Sequence, residues 1–170
     1  ATKTFTVYVR DDGKYDSDST PGVVRDPFFI ASQKDNVNPT LSSSSPSDDS
    51  TNIDVSSNIK LTFSENVDVE SGFITIKQSS DDNEFEKIDV TSTTQVEGTG
   101  TNVITINPSK NFESNTQYYV EIDSTAFDDS SSNSFAGISD KTSLNFTSAG
   151  LFDSTNPSLS NSSPSDAVSY

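Results

Sequence analysis

Ile59-Lys60-Leu61-Thr62-Phe63-Ser64-Glu65 carries the clearest indication of the fold in this chain. Its apolar residues, Ile59, Leu61 and Phe63, occupy every second position, and polar residues stand between them. Successive side chains of a β-strand point to opposite faces of a sheet. The stretch is therefore predicted to be a strand with one face in a core and the other in water.

Further short strands are predicted on both sides of this stretch, and polar turns rich in Gly, Asn, Asp and Ser separate them. The strands are expected at residues 53–55, 73–77, 85–90, 95–96, 103–106, 118–122 and 144–146. Only residues 124–129 look locally helical, and no segment shows an apolar 3.6-residue period over a dozen positions. This pattern is typical of an all-β sandwich, in which antiparallel sheets pack face to face.

An internal repeat sets the domain organisation. Asn38-Pro39-Thr40-Leu41 recurs as Asn156-Pro157-Ser158-Leu159, and Ser45-Pro46-Ser47-Asp48 recurs as Ser163-Pro164-Ser165-Asp166, both at an offset of 118 residues. Solenoid and propeller repeats are roughly 20–50 residues long, so this longer unit is expected to be a self-sufficient domain in a tandem array. We expect an N-terminal strand segment and linker at 1–37, one complete β-sandwich at 38–155, and the start of the next repeat at 156–170.

The net charge argues against two classes of partner. With 26 acidic and 10 basic residues among 170, the formal charge is −16, and this charge repels nucleic-acid phosphates and anionic lipid surfaces. No apolar run reaches ten residues, so no membrane-spanning helix is expected. We expect neither nucleic-acid binding nor membrane insertion.

The absence of His and Cys limits the catalytic mechanisms that this chain could use. The chain has no His and no Cys, which rules out Ser-His and Cys-His nucleophile systems and leaves only oxygen donors for a metal ion. Carboxylate pairs such as Glu65 with Asp68 lie beside a turn and are better interpreted as solvated. The sequence therefore predicts a protein that is not an enzyme and requires no cofactor, with Ca²⁺ as the open alternative.

Calcium is the ligand that this composition favours, because Ca²⁺ takes about six to eight oxygen ligands and acidic loops supply them. Acidic clusters occur at residues 65–70, 81–84 and 123–133, and the third is preferred because a strand end and a loop are expected to converge there. An ion at the linker positions ahead of the repeated Asn-Pro would stiffen the joint. The candidate calcium ligands are therefore Asp123, Asp128, Asp129, Asn133, Asp35 and Asp153. The alternative interpretation of each cluster is a solvated turn, which an acidic chain produces by chance.

Several short motifs occur in an order that resembles the bacterial immunoglobulin-like domains of S-layer proteins and large repetitive surface adhesins. They are Ser45-Pro46, the strand 59–65, Ser71-Gly72, Thr105-Ile106-Asn107-Pro108, the strand 118–122, the loop 128–137 and Phe146-Thr147. The resemblance covers roughly residues 38–150 and implies a Greek-key sandwich of about seven strands, repeated along an extracellular stalk. It brings no catalytic residues with it, and similar modules also decorate phage capsids and tails.

Two further patterns have structural interpretations. Of the adjacent Tyr118 and Tyr119, one is expected to face the core and the other to face out, and a corner tyrosine bonded to the backbone is common in such sandwiches. Asn145-Phe146-Thr147 fits the glycosylation triplet, but it falls within a predicted strand, whereas an acceptor normally needs an exposed loop. Glycosylation of Asn145 is not expected.

Three functions are open from the sequence. The first, which we prefer, is a structural or adhesive repeat module, extracellular or on the cell surface, whose partners are neighbouring repeats. The second is a self-assembling filament or virion subunit, in which the alternating strand at residues 5–9 pairs with an edge of a neighbouring copy. The third is a domain that binds a surface glycan or a receptor through loops at one end of the sandwich.

Overall fold

The computed structural model describes residues 34–150, and within that range the chain forms ten β-strands and no helix. The predictions for a strand at 5–9, for Asp153 and for residues 156–170 fall outside the described residues. The strands are β1 (Leu41–Ser45), β2 (Ser50–Ile53), β3 (Ile59–Val69), β4 (Phe73–Gln78), β5 (Glu84–Asp89), β6 (Val96–Glu97), β7 (Thr101–Ile106), β8 (Gln117–Ile122), β9 (Phe127–Asp128) and β10 (Asn145–Ser148). In the described range, no helix is long and apolar enough to cross a membrane.

Two sheets form the sandwich. One has the order β1-β3-β7-β6, with β9 paired to the end of β3, and the other has the order β2-β10-β8-β4-β5. The pairings are antiparallel, apart from the parallel pair of β2 with β10. The all-β sandwich expected from the alternating sequence is confirmed.

The first strand segment is divided between the two sheets. β1 pairs with β3 of one sheet and, after Pro46, β2 pairs with β10 of the other. The Ser45-Pro46 peptide bond between them is cis, and Asp49 has a left-handed backbone with φ 58°. One continuous segment therefore supplies an edge strand to each layer.

The core lies between the sheets and follows the alternation in β3. Ile59, Leu61 and Phe63 are at most 2% exposed, as expected, and so are Ile74 and Ile76 of β4. Burying an aliphatic or aromatic side chain of this size stabilises the fold by about 1.5–3 kcal/mol. Removal of apolar surface from water is thus the main force that holds the sheets together.

One pole of the sandwich holds the ends of β3 and β8, because β9 follows β8 after a short turn and pairs with Asp68 and Val69. The chain arrives at this pole. Ser64 N–H donates to Thr40 O at 2.9 Å, immediately before β1 begins. We call this end the upstream pole.

The chain leaves the sandwich at the opposite end, which we call the downstream pole. β10 runs antiparallel to β8, and Ser148 N–H donates to Thr116 O at 3.0 Å, just ahead of the start of β8. Ala149 is then held by two backbone bonds: its N–H donates to Ile53 O at 2.6 Å, and its O accepts from Asn115 N–H at 3.0 Å. A chain that arrives at one pole and leaves at the other can be joined end to end with further copies.

Aromatic side chains pack in one group toward each pole. The upstream aromatic group consists of Phe63, Phe127 and Phe135, with the Phe63 ring centroid 5.4 and 5.2 Å from the other two. The downstream aromatic group consists of Phe85, Phe112, Tyr118 and Phe146, with centroids 4.9–5.9 Å apart. Tilted and edge-to-face pairs at these distances each add about 0.5–1.5 kcal/mol beyond the burial of their area.

Tyr118 forms a tyrosine corner. Its side chain is fully buried, and its hydroxyl oxygen accepts the backbone N–H of Glu113 at 2.8 Å. Burial is the main reason that the pKa of this hydroxyl lies above its usual range. The bond ties the loop ahead of β8 to the strand itself.

Tyr118 faces the core and Tyr119 faces out, as expected, but Tyr119 is nevertheless only 2% exposed. Its ring lies on the outer face of its sheet, where the Nζ atoms of Lys77 and Lys141 lie 5.9 and 5.5 Å from the ring centroid. Its hydroxyl donates to Asp82 at 3.0 Å, and Lys141 forms an ion pair with the same carboxylate. Long lysine stems cover apolar surface in this way while the charged heads stay in water.

Residues 124–129 are not helical, in contrast to the prediction. Ala126 N–H donates to Asp123 O at 3.0 Å, which closes a single turn, and β9 follows at once. Ala126 and Phe127 are both fully buried. Burial of these two side chains outweighs the weak local preference for a helix.

Candidate functional site

Three carboxylates from separate parts of the chain meet at the upstream pole. Asp35 lies ahead of β1, Glu65 lies in the middle of β3, and Asp129 directly follows β9. One oxygen of each lies within 4.8 Å of those of the other two. Glu65 stands between the part of β3 that pairs with β1 and the part that pairs with β9, so the two neighbouring strands bring Asp35 and Asp129 to it. We call these residues the upstream acidic group.

Asn133 joins the loop after β9 to the segment ahead of β1. Its backbone N–H and that of Ser131 each donate to Asp129 Oδ1 at 2.8 Å. Its side-chain Nδ2 donates to Asp129 Oδ2 at 2.8 Å and to the backbone O of Asp35 at 3.1 Å. Residues 129–133 therefore form a closed loop, and the side-chain amide of Asn133 holds the segment ahead of β1 in place.

Asp129 is held in its ionised form by this loop. The side chain is only 5% exposed, and burial by itself raises the pKa of a carboxyl group. Hydrogen bonds from Asn133 and Ser131 outweigh the burial, so the pKa of Asp129 lies below its usual range. A buried carboxylate is thus kept charged at the upstream pole.

Glu65 and Asp35 differ in the direction of their pKa shifts. Burial, followed by the negative charges of Asp129 and Asp35, raises the pKa of Glu65. The backbone N–H of Val37, which donates to Asp35 at 3.1 Å, is the main cause that lowers the pKa of Asp35. Of the three carboxyl groups, Glu65 is therefore the one whose ionised form is disfavoured.

The upstream aromatic group supports the acidic group from below. Phe63 precedes Glu65 by two residues, Phe127 precedes Asp129 by two, and Phe135 follows Asn133 by two. Phe127 pairs with Val69 in the short ladder between β9 and β3, and Phe135 N–H donates to Phe127 O at 2.9 Å. Packing of the three rings consequently fixes the positions of the polar side chains above them.

The oxygen atoms gathered at this site are ligands that suit a hard cation. Carboxylate and carbonyl oxygens suit Ca²⁺, and several charged oxygens close together lower their mutual repulsion when a divalent ion binds between them. Asn133 donates through its nitrogen, which leaves its side-chain oxygen as an acceptor. The upstream acidic group with Asn133 could hold Ca²⁺, with further oxygens from water or backbone.

Three of the six candidate ligands meet here: Asp35, Asp129 and Asn133. In the sequence they belong to two separate places, a loop cluster and a linker. Glu65 belongs to another acidic cluster of the sequence, although position 65 continues the inward series of Ile59, Leu61 and Phe63. That alternation is the sequence signal that points to Glu65.

The other candidate ligands lie elsewhere. Asp123 is exposed, and its Oδ2 accepts the N–H of Phe73 at 2.9 Å at the start of β4. Asp128 pairs with Asp68 in the ladder between β9 and β3. Asp153 lies outside the described residues. Within residues 34–150, the upstream acidic group is the one set of three acidic side chains close enough to share an ion.

Asn145 of the glycosylation triplet is 6% exposed. Its side-chain nitrogen donates to Asp48 at 2.9 Å and to Asp49 at 3.0 Å. The amide is thus engaged in the sandwich, where it connects β10 with the turn between β1 and β2. Its role in the structure is to hold the divided first strand segment.

The two facing sheets, the first strand segment shared between them and the tyrosine corner define an immunoglobulin-like β-sandwich. The family model of the bacterial Ig-like domain, Big_5, matches residues 35–148. The chain therefore belongs to the bacterial Ig-like domain family.

Two further comparisons were made with known proteins. Among solved structures, the fold is similar to the N-terminal part of the bacterial S-layer protein SbsC, with a TM-score of 0.43 and 19% sequence identity. That match covers 66% of this chain and 24% of the other, so this chain spans about a quarter of the S-layer structure. No curated protein matches the sequence.

Proposed function

We propose that this domain is a non-enzymatic structural or adhesive repeat module of an extracellular surface or stalk protein. The observation that carries the proposal is the arrival of the chain at the upstream pole and its departure at the downstream pole. Membership in the bacterial Ig-like domain family supports it. So does the recurrence of the Asn-Pro and Ser-Pro motifs at an offset of 118 residues.

A module of this kind serves as a rigid spacer. β3 has 11 residues, and at about 3.3 Å per residue a strand of that length spans roughly 35 Å between the poles. Hydrogen-bonded strands around a close-packed core change length very little under load. Each repeat therefore adds a nearly fixed length to a stalk.

The edge strand β5 is protected against pairing with another sheet. This protection supports a module that does not assemble through its sheet edges. Glu86 pairs with the buried Ile76, so it points inward, and an irregularity in the ladder follows. Its carboxylate accepts from Gln95 Nε2 at 2.7 Å and from Ser109 N–H at 3.0 Å. An inward charge and a bulge are devices by which natural sheets prevent edge-to-edge pairing.

A chain that carries two repeats tests the proposal directly. It is made by following residue 155 with a second copy of residues 38–155, so that the linker between the sandwiches keeps its own sequence. We expect small-angle X-ray scattering to give a maximum dimension larger than that of residues 1–155 by roughly 35 Å, the length of one strand between the poles. Two sandwiches lying side by side, with nearly unchanged maximum dimension, would contradict the spacer function.

We also propose that Ca²⁺ binds the upstream acidic group and stiffens the joint. Support comes from the approach of Asp35, which belongs to the linker, to Glu65 and Asp129, which belong to the sandwich. An ion shared between them would fasten the incoming chain to the domain. Ca²⁺ at 100 times its dissociation constant would stabilise the folded state by about 2.7 kcal/mol.

Variants of Glu65 and Asp129 are expected to act in opposite directions without calcium. At pH 7 in EDTA, Glu65→Gln raises the melting temperature, because the raised pKa means that ionised Glu65 destabilises the fold. Asp129→Asn lowers it, because the carboxylate that accepts three hydrogen bonds is lost. Both variants are expected to lose the rise in melting temperature that millimolar Ca²⁺ produces in the unaltered chain.

The pH dependence checks these signs, with Asp128→Asn as the matched control. The benefit of Glu65→Gln disappears as the pH falls below 4.5, where Glu65 becomes protonated even in the unfolded chain. The stability that Asp129 contributes is complete above pH 3.8, the ordinary pKa of the group, and is lost as the pH falls through the lowered pKa of the folded state. Asp128→Asn should keep the full calcium response, and an equal loss in all three variants would argue against this site.

The alternative function, a filament or virion subunit joined through residues 5–9, gives a different result in sedimentation. In that case the intact chain forms assemblies, and a chain that lacks residues 1–10 stays monomeric. The spacer function predicts a monomer in both cases.

A further inference from the structure

We propose that this domain pairs with a second copy of itself, face to face and in parallel, through a patch on the outer side of the β1-β3-β7-β6 sheet. The patch, which we call the neutral patch, consists of Ser43, Lys60, Thr62, Glu97, Val103 and Thr105. The proposal rests on the proposed function as a stalk module. It adds the contact by which two stalks associate side by side.

The alternation of β3 and β7 places these side chains on the outside of the sheet. Leu61 and Ile104 are both 0% exposed and point into the core. Their neighbours along each strand therefore point to the other face. Val103 is 37% exposed, one of the few large apolar side chains in residues 34–150 that lie open to water. Lys60 and Glu97 are exposed as well.

The neutral patch is made of two rows of paired residues. In one row, Lys60 pairs with Thr105, and Thr105 pairs with Glu97. Neighbouring strands are about 4.8 Å apart, so Lys60 and Glu97 stand roughly 10 Å from each other on either side of β7. The next row carries two small hydroxyl side chains and one exposed apolar side chain, namely Ser43, Thr62 and Val103.

The charges of the patch suit contact between two copies. Copies of a chain with a formal charge of −16 repel one another. The neutral patch avoids that repulsion, because its two charged residues have opposite signs. Neither Lys60 nor Glu97 takes part in an ion pair within residues 34–150. Both are therefore open to a partner outside their own domain.

A twofold axis that runs along β7, above the sheet, brings the patch onto itself. This axis sets Val103 of one copy against Val103 of the second copy. Lys60 and Glu97 lie in one row on opposite sides of β7, so each of them faces the other residue of the second copy and two ion pairs form. Because the axis follows the strands, the upstream poles of both copies lie at the same end.

A twofold axis that crosses the strands over the same row gives the opposite result. It keeps each strand above its own counterpart, so Lys60 faces Lys60 and Glu97 faces Glu97. Like charges brought together across an interface oppose binding. The charge pattern thus selects the parallel pair, which is the arrangement that two stalks rising from one surface need.

The size of the face sets the strength of the pairing. β7 has six residues and is about 20 Å long, and four strands are about 19 Å wide, so each copy contributes roughly 400 Å². A pair then buries roughly 800 Å² in total, whereas stable interfaces bury about 1,200–2,000 Å². Single domains therefore stay monomeric at micromolar concentration. Repeats joined in series combine their contacts, and two stalks bind each other more tightly than two domains do.

A cysteine at position 103 tests the axis, because the chain contains no Cys. A short bismaleimide joins two thiols where they meet, and Val103 faces its own counterpart. In the full chain at millimolar concentration, Val103→Cys is expected to give several-fold more covalent dimer than Thr75→Cys, whose half-exposed side chain lies on the outer face of the other sheet. Labelling with a monofunctional maleimide corrects for thiol reactivity. Equal yields from the two variants would overturn the proposal.

Charge reversal tests the parallel arrangement. Adding Lys60→Glu to Val103→Cys is expected to reduce the yield to that of Thr75→Cys, because carboxylates then face each other. Adding Glu97→Lys is expected to do the same, although it lowers the net negative charge of the chain. Both reversals together should restore the yield. Lys87→Glu, on the outer face of the other sheet, is the control for net charge and should leave the yield unchanged.

Two results would contradict the pairing. Single reversals that leave the yield unchanged would show that Lys60 and Glu97 do not meet, and a double variant that fails to recover would exclude the parallel axis. The spacer function is judged separately, by the maximum dimension of the two-repeat chain. A parallel pair is hardly longer than one stalk, so that measurement stands whether or not copies associate.

Discussion

Replacing Phe63 by Ala is expected to lower the free energy of unfolding by about 3–5 kcal/mol, the range for truncating a buried aromatic side chain. Phe63 is 2% exposed and contacts both other rings of the upstream aromatic group. It also lies two residues ahead of Glu65. We therefore expect the variant to lose the proposed calcium-dependent rise in melting temperature as well as stability, measured by chemical denaturation and by melts with and without EDTA.

Phe112→Ala is the matched control for this experiment. Phe112 is 3% exposed and packs on Phe85, Tyr118 and Phe146 in the downstream aromatic group. Its loss of stability should be similar, since the same number of buried atoms is removed. The calcium response should survive, because the ring lies far from the upstream acidic group. A calcium response that disappears equally in both variants would show that it reports general stability and not the site.

Tyr118→Phe is expected to destabilise the domain by about 1 kcal/mol, because a part-buried backbone N–H loses its hydrogen-bond acceptor. The hydroxyl of Tyr118 accepts the N–H of Glu113, and removal of one oxygen atom leaves the ring packing intact. The loop ahead of β8 should also exchange its amide hydrogens faster. Denaturation curves and hydrogen exchange at Glu113 measure the two effects.

Tyr119→Phe provides the comparison for the corner. Its hydroxyl donates to Asp82, whose carboxylate is exposed and also pairs with Lys141. Water can replace the lost donor at the exposed Asp82 carboxylate, so we expect a change below about 0.5 kcal/mol. A loss as large as that of Tyr118→Phe would mean that the corner bond has no special weight.

Much of the architecture was predictable because alternation in a strand is a local property. The period-2 pattern of β3, β4, β7 and β8 is visible in the sequence, and the core-facing sides of these strands follow from it. Prediction from local residue preferences failed where tertiary packing determines the secondary structure. Residues 124–129 carry weak helical preference, but burial of Phe127 draws them into β9.

The candidate site was predicted in pieces. The acidic residues were visible as clusters, and the linker aspartate was recognised through the repeat. Their grouping was not, because Asp35, Glu65 and Asp129 are 30 and 64 residues apart in order along the chain. Only the pairing of β3 with both β1 and β9 brings them within 4.8 Å.

The sandwich, the repeated motifs, the family resemblance and the lack of His and Cys chemistry could all be recognised before folding was considered, since each depends on residue type and spacing alone. Folding was needed to show which carboxylates meet, which tyrosine makes the corner, and that the chain arrives at one pole and leaves at the other. These features depend on which strands pair, and pairing is fixed by the packing of the whole core. For that reason the path of the chain from one pole of the sandwich to the other became visible only in the folded chain.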